Sequence, residues 1–312
     1  MRNAFADEIG QLAGSDSRIV LLSGDIGNRL FEPFKTKFSN RFFNCGVAEA
    51  NMASVAAGMA MCGLRPITYT ITPFNTTRCL EQIRDDICYH QVPVLIVGTG
   101  AGLSYASLGC THHSCEDIAF LRTIPNMTVL CPADALELRA LLRASLNWPG
   151  PMYMRIGKTG EPQIYSSVPE IAIGKGSWIQ KGTEICILST GNMLSVAMEA
   201  SKLLKEPPAI ISMHTVKPLD TELLQDISHR FSLLVTLEEH SLMGGFGSAV
   251  AEWLVDQSIT TPLLRIGTQD RFPHPIGSQK YIREQFGLTP QAIANRIEQK
   301  IGFYANTSSH PR

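Results

Sequence analysis

Short apolar runs alternate along this chain with longer stretches of helical periodicity. Ile19-Val20-Leu21-Leu22, Ile67-Thr68-Tyr69-Thr70, Val94-Leu95-Ile96-Val97, Thr128-Val129-Leu130 and Met152-Tyr153-Met154 are rich in apolar and β-branched residues. Runs of that kind, spaced by helices and long loops, read as strands of a parallel sheet covered on both faces. A second set follows in Glu184-Ile185-Cys186-Ile187-Leu188, Ala209-Ile210-Ile211-Ser212-Met213 and Leu233-Leu234-Val235-Thr236-Leu237, with a helix over Leu194 to Leu204. Between the sets lies a polar, proline-containing passage, the kind of composition that links domains. The predicted division is a first domain over 1–160, a linker over 161–175, a smaller second α/β domain over 176–305 and a polar tail over 306–312 that frays.

One segment departs from this plain alternation. In Gly46-Val47-Ala48-Glu49-Ala50-Asn51-Met52 a loop turns into a helix of small residues, with Ala53, Ala56, Ala57 and Ala60 at helical spacing and Gly58 among them. Such a helix lets other backbone approach closely. Glu49 falls in its first turn, where the helix dipole favours the carboxylate while burial favours the acid, a conflict that suits a carboxyl group sharing a proton with a ligand. Taken alone, the motif reads first as a plain N-terminal helix acid.

Composition narrows the classes. The chain has 312 residues, 44% of them hydrophobic, enough for two cores. Its 27 basic and 28 acidic side chains leave a net charge of −1 with no long charge run, which points away from nucleic acid and from anionic membranes. The N-terminus is amphipathic without a signal-peptide core, and no stretch is apolar for long enough to span a bilayer, so a cytoplasmic location is expected. Eight cysteines stand singly, without a Cys-x-x-Cys pair, and read as small buried thiols rather than a zinc or disulfide framework.

Gly-Val-x-Glu-x-x-Met followed by an Ala-Ala-Gly helix resembles the pyrimidine-binding domain of transketolase and related thiamine diphosphate enzymes. Further matching motifs follow in the family's order and cover nearly the whole chain: Ser23-Gly24-Asp25, Phe74 ahead of Arg78-Cys79-Leu80-Glu81-Gln82, and Thr111-His112-His113. After them come Leu121-Arg122-Thr123-Ile124-Pro125-Asn126-Met127, Pro132-Ala133-Asp134, Val216-Lys217-Pro218-Leu219-Asp220, Glu238-Glu239-His240 and Gly244-Gly245-Phe246-Gly247. The chain resembles the C-terminal subunit of a split transketolase. The fold this implies is α/β, a parallel-sheet thiamine-diphosphate pyrimidine-binding domain followed by a smaller transketolase C-terminal domain.

The resemblance also assigns roles. Glu49 matches the acid that shares a proton with the aminopyrimidine ring nitrogen of thiamine diphosphate, and Val47 the apolar residue that props the cofactor into a bent shape, ordinary core packing being the alternative for Val47. Phe74 matches an aromatic ring against the pyrimidine face, with a plain core position as its alternative. Asp25 matches a residue near the cofactor, although a loop Asp at a strand end is also a common cap. His112 matches a histidine that touches sugar oxygens and helps proton transfer, a task for which imidazole titrates in the right range. Arg155 matches a phosphate-binding arginine, and Arg29 adds a further charge for substrate.

What the chain lacks shapes the rest of the expectation. The family's Gly-Asp-Gly and following Asn, which hold the diphosphate and Mg2+, have no counterpart here, since Gly24-Asp25 continues into Ile26 at the end of a predicted strand. A separate N-terminal transketolase subunit carrying the diphosphate and metal site is therefore expected, in an α2β2 assembly, with no metal site in this chain. Glu238-Glu239-His240 is expected to support that interface. Where ordinary transketolases carry Gly-Glu-Asp-Gly before the Thr-His pair, this chain reads Ala106-Ser107-Leu108-Gly109, so the sugar or sugar phosphate is expected to be non-standard. The other readings are a thiamine-dependent 2-oxo acid decarboxylating subunit, E1 beta-like or deoxyxylulose phosphate synthase-like, and a non-catalytic assembly subunit.

Overall fold

A computed structural model describes residues 1–308 apart from Asn28 and Thr159, and for 304–308 the backbone alone. Two sheets form its two halves. The first contains β1 (Ile19–Ser23), β2 (Phe42–Asn44), β3 (Arg65–Ile71), β4 (Leu95–Thr99), β5 (Thr128–Leu130) and β6 (Met152–Ile156). The second contains β7 (Ser177–Gln180), β8 (Ile185–Ser189), β9 (Ala209–Ser212), β11 (Leu233–Ser241) and β12 (Leu263–Thr268), while β10 (Thr215–Lys217) joins the first. The orders are β10-β5-β6-β4-β3-β1-β2 and β12-β11-β8-β9-β7. Every pairing is parallel except β10 with β5 and β7 with β9. The central strands β1, β4, β6 and β8 are buried along their whole length, which is why they read as unbroken apolar runs.

The halves are stitched together. After β9 the chain returns to the first sheet, and the three residues of β10 extend it antiparallel beyond β5. Lys217 at the end of that strand donates from Nζ to the carbonyls of Arg122 and Ile124, 2.9 and 2.6 Å away, satisfying acceptors left open where the helix Asp117–Thr123 ends. Asp134 caps the helix Ala135–Ser145 through Leu136 and Glu137 N–H with one oxygen. Its other oxygen accepts from Ile164 and Tyr165 N–H, which fastens the passage between the two sheets. Several of the sequence motifs are thus caps and ties.

The helix Glu49–Met61 buries Glu49, Met52, Ala53, Ala56, Ala57 and Ala60 on one face, and its other face, with Asn51, Val55 and Gly58, is exposed. Residues 306–308 of the expected tail continue the last helix, Pro290–Ser308, and 309–312 lie outside the described residues. Cys79, Cys88, Cys115, Cys131 and Cys186 are buried, whereas Cys62 and Cys110 are exposed. Among the described residues no helix is long and apolar enough to cross a membrane.

Candidate active site

Glu49 is the first residue of its helix and only 2% exposed. A buried carboxylate needs a partner, and Arg78 supplies one: its Nη1 lies 2.8 Å from Glu49 Oε2. Arg78 reaches there from the short turn Thr77–Cys79, just after the turn Thr72–Asn75 that carries Phe74, and its guanidinium carbon sits 4.1 Å from the Phe74 ring centroid. Phe74 in turn meets the His112 ring edge-on, centroids 5.3 Å apart at 67°. His112 faces Tyr105 at 5.9 Å, and Lys158 Nζ lies 4.5 Å over the Tyr105 ring. The result is a continuous row, Arg78, Phe74, His112, Tyr105 and Lys158, with a cation at each end and Glu49 attached to the first.

The row stands at the carboxyl ends of neighbouring strands β3, β4 and β6, where open α/β sheets place ligands. His112 comes from the loop after β4. Its Nδ1 is 2.9 Å from Thr111 Oγ1, which orients the ring. Burial, and then the charge of Lys158, lower its pKa below the usual histidine value, so the imidazole is neutral around pH 7. His113 beside it is 7% exposed, with neither ring nitrogen hydrogen-bonded, and burial lowers its pKa as well.

Val47 is 72% exposed, which removes the core-packing reading for it within this chain. Phe74 is half-buried. Asp25 has a left-handed backbone, φ 56°, and an exposed carboxylate that accepts from Asn44 Nδ2 at 2.9 Å. Next to it, a Cβ on Gly24 would sit 3.0 Å from Thr70 Cβ and 3.4 Å from Glu49 Cγ, so the glycine lets the end of β1 pack close to the acid without displacing either side chain. Thr70 Oγ1 there is buried without a hydrogen-bond partner. A flat heteroaromatic ring with polar nitrogens fits this cradle: a buried carboxylate, an orphaned hydroxyl, the aromatic Phe74 and the uncovered Val47.

Two expected substrate residues are not in the row. Arg155 is 3% exposed, with Nε 2.8 Å from Asp117 Oδ2 and Nη2 donating to the carbonyls of Ser114 and Glu239 at 2.9 and 3.0 Å. Its Nε and Nη2 are committed to the seam between the halves, which takes it out of the row and weighs against the phosphate-binding assignment. Arg29 is exposed with φ 67° and lines a cleft of about 700 Å3 with Arg2 and Lys37. That cleft is not built around Glu49.

Glu238, Glu239 and His240 are likewise not at a free surface. All three are buried inside the chain. Glu238 accepts the amides of Phe246 and Gly247 at the start of the helix Phe246–Asp256, and burial pushes its pKa up to about 7. Arg78 stands in one of the sequence motifs without a site role, and Tyr105 and Lys158 are absent from the motifs. For Arg78 the signal is its place in the motif that follows Phe74, although the chain leaves helical geometry at Thr76 between them. Tyr105 and Lys158 come from loops whose approach no local pattern announces. Among the described residues no group of three or more His, Cys, Asp or Glu side chains is placed to hold a metal ion.

Comparison with known proteins gives the same architecture. Residues 1–161 match the family model of the transketolase pyrimidine binding domain, and residues 174–293 that of the transketolase C-terminal domain. A putative transketolase C-terminal section from Methanocaldococcus jannaschii is 34% identical over 307 residues, covering 96% of each chain. A 6-deoxy-6-sulfo-D-fructose transketolase subunit from Clostridium sp. (strain MSTE9) is 35% identical over 310 residues, 97% of this chain and 96% of that one. Among solved structures, a split-gene transketolase in an inactive beta4 tetramer superposes with a TM-score of 0.87 at 33% identity, over 96% of both chains.

Proposed function

The chain belongs to the transketolase family, and on that premise we propose that it works as the C-terminal subunit of a two-chain transketolase, moving a two-carbon ketol unit from a ketose to an aldose. The observation that carries this reading is the buried Glu49 held by Arg78 beside the exposed Val47 and the Phe74–His112 pair. An assembly scaffold has no use for a buried acid facing an uncovered apolar side chain.

Thiamine diphosphate, when bound, supplies a stabilised carbanion for cleaving and forming carbon–carbon bonds. Glu49, Val47, Phe74 and Thr70 would hold its ring, with Asp25 at the edge. Glu49 provides a carboxylate positioned to share a proton with a ring nitrogen, and Arg78 balances its charge out of bulk water. His112, kept neutral, can both accept a proton from a substrate hydroxyl and return it. The half-buried Phe74 ring and the buried Tyr105 ring exclude water from around it. Diphosphate and Mg2+ fall to a separate N-terminal subunit, in an α2β2 assembly in the cytoplasm.

The substrate is a non-standard sugar. Support comes from the buried state of Arg155, from Ala106-Ser107-Leu108-Gly109 in place of an acidic loop, and from the sulfosugar transketolase subunit among the relatives. Lys158, at the other end of the row from the Glu49–Arg78 pair, remains as the cation for an anionic substituent. Calorimetry of thiamine diphosphate with Mg2+ tests the division of labour. Tight binding is expected only when an N-terminal transketolase subunit is mixed with this chain, and tight binding to the chain alone would refute it.

A further inference from the structure

The active-site row is drawn wholly from the first half of the chain, yet the loop that carries His112 is fastened by the second. Glu239, near the end of β11, is 1% exposed. Its Oε1 accepts the Leu103 N–H at 2.8 Å, Gln279 Nε2 at 2.8 Å and Asn192 Nδ2 at 3.4 Å, and its Oε2 pairs with Arg283 Nε. Immediately before Leu103, Gly102 has φ 58°, and a Cβ there would meet Glu239 Oε1 at 2.6 Å. Gly102 and Ser114 exchange both backbone hydrogen bonds, at 3.0 and 2.9 Å, so residues 102–114 form a closed loop with His112 near its far foot. The backbone carbonyl of Glu239 takes Arg155 Nη2, which also donates to Ser114. Glu239 therefore touches the near foot of the loop through its side chain and the far foot through Arg155.

A buried carboxylate with this many donors is satisfied, but such a group contributes little net stability compared with a well-packed apolar replacement. What it does give is a unique position for the groups it joins. We propose that Glu239 is a positioning residue: from the C-terminal half it fixes the 102–114 loop, and with it the His112 imidazole against Phe74. This rests on the ketol-transfer reading only for the use to which His112 is put.

The test uses Glu239→Ala, Glu239→Gln and, as a control for general loss of stability, Glu238→Gln, which disturbs the start of the helix Phe246–Asp256 and not the loop. Hydrogen exchange of the chain should show amides 102–114 opening at least about tenfold faster in Glu239→Ala, the scale of one lost buried hydrogen bond. Proton NMR should show the His112 pKa rising as the ring loses its half-buried seat against Phe74. Glu239→Gln, which keeps an oxygen for Leu103, should recover most of both. Glu238→Gln should lower the melting temperature and leave both readings at the wild-type value. In the assembled enzyme Glu239→Ala should lower kcat, with its acid limb moved to higher pH. Unchanged loop exchange and His112 titration in Glu239→Ala, or the same changes in Glu238→Gln, would overturn the proposal. Both readings are taken on the chain itself, so absence of ketol transfer in the assembly would sink the functional reading and not this one.

Discussion

Arg78 serves Glu49 and Phe74 at once, its Nη1 2.8 Å from the Glu49 carboxylate and its guanidinium carbon 4.1 Å from the Phe74 ring centroid. One side chain thereby sets the acid and the aromatic ring relative to each other. Its own side chain is 42% exposed, so it can repack without unfolding the domain, while the acid it holds cannot leave.

The sharpest consequence concerns Glu49→Gln. The amide fills the same space at the start of its helix but has no proton to share. Assembled with its partner subunit, the variant should lose roughly 10²–10⁴-fold in kcat, the range for removing a positioned acid–base group. Its melting temperature should stay within a few degrees. Activity within a fewfold of wild type would show that Glu49 is a structural helix acid.

Phe74→Ala separates ring contact from core packing. Aromatic contacts of this kind contribute about 0.5–1.5 kcal/mol beyond area burial, which corresponds to a weakening of cofactor binding by about 2- to 13-fold. Calorimetry of the assembled protein should show that loss together with a lower kcat, because His112 loses the ring that it abuts. A variant that only melts earlier, with cofactor affinity unchanged, would return Phe74 to the core.

Lys158→Met should change a pH profile. Lys158 is the second cause, after burial, of the lowered His112 pKa. Removing its charge favours the imidazolium, so the His112 pKa rises and the acid limb of kcat/KM in the assembly moves to higher pH. The same direction should appear in the His112 ring resonances of the chain alone. An unmoved titration would mean that the row does not act electrically on His112.

The strands and the α/β plan were legible because buried parallel strands write themselves as continuous apolar runs, and β1, β3, β4, β5, β6, β8, β9 and β11 stand where such runs occur. β10 was not legible. Thr215-Val216-Lys217 is too short to announce itself, and its partner β5 lies far back in the chain. Motifs single out Glu49, Phe74 and His112 as candidates, and the structure brings them together with Arg78. Arg155 was misplaced for a physical reason: motif position says where an arginine starts, whereas its use depends on whether Asp117, a residue 38 positions earlier, already holds it.

That ion pair makes its own prediction. Arg155 and Asp117 are both buried, and Tyr153 also bonds to Asp117 Oδ2, at 2.5 Å. Asp117→Asn leaves a buried guanidinium without its counter-charge, which costs about 3–5 kcal/mol when one partner of a buried pair is removed. Urea unfolding should register that loss. If Arg155→Met instead raised KM for an anionic sugar and left stability unchanged, the phosphate role would be restored.

His214 gives the stability a pH dependence whose sign can be worked out. It lies between β9 and β10, fully buried, with Nδ1 3.0 Å from Thr215 Oγ1 and Nε2 unpartnered. Burial lowers its pKa to about 4 from 6.5, against a smaller opposing pull from Asp220. The unfolded chain thus binds a proton below about pH 6.5 that the folded chain refuses until about pH 4, so this histidine withdraws stability as the pH falls through that window and nothing more below it. At 1.36 kcal/mol per unit the term amounts to about 3 kcal/mol. Glu137 and Glu238, both raised to about 7 by burial, act in the opposite direction, since they bind protons more readily folded than unfolded between about pH 4.5 and 7. The wild-type curve mixes these contributions, and the difference between wild type and His214→Gln isolates one of them. In urea titrations the variant should lose less stability than wild type on going from pH 7 to pH 4, and parallel curves would show that His214 is protonated in the folded protein.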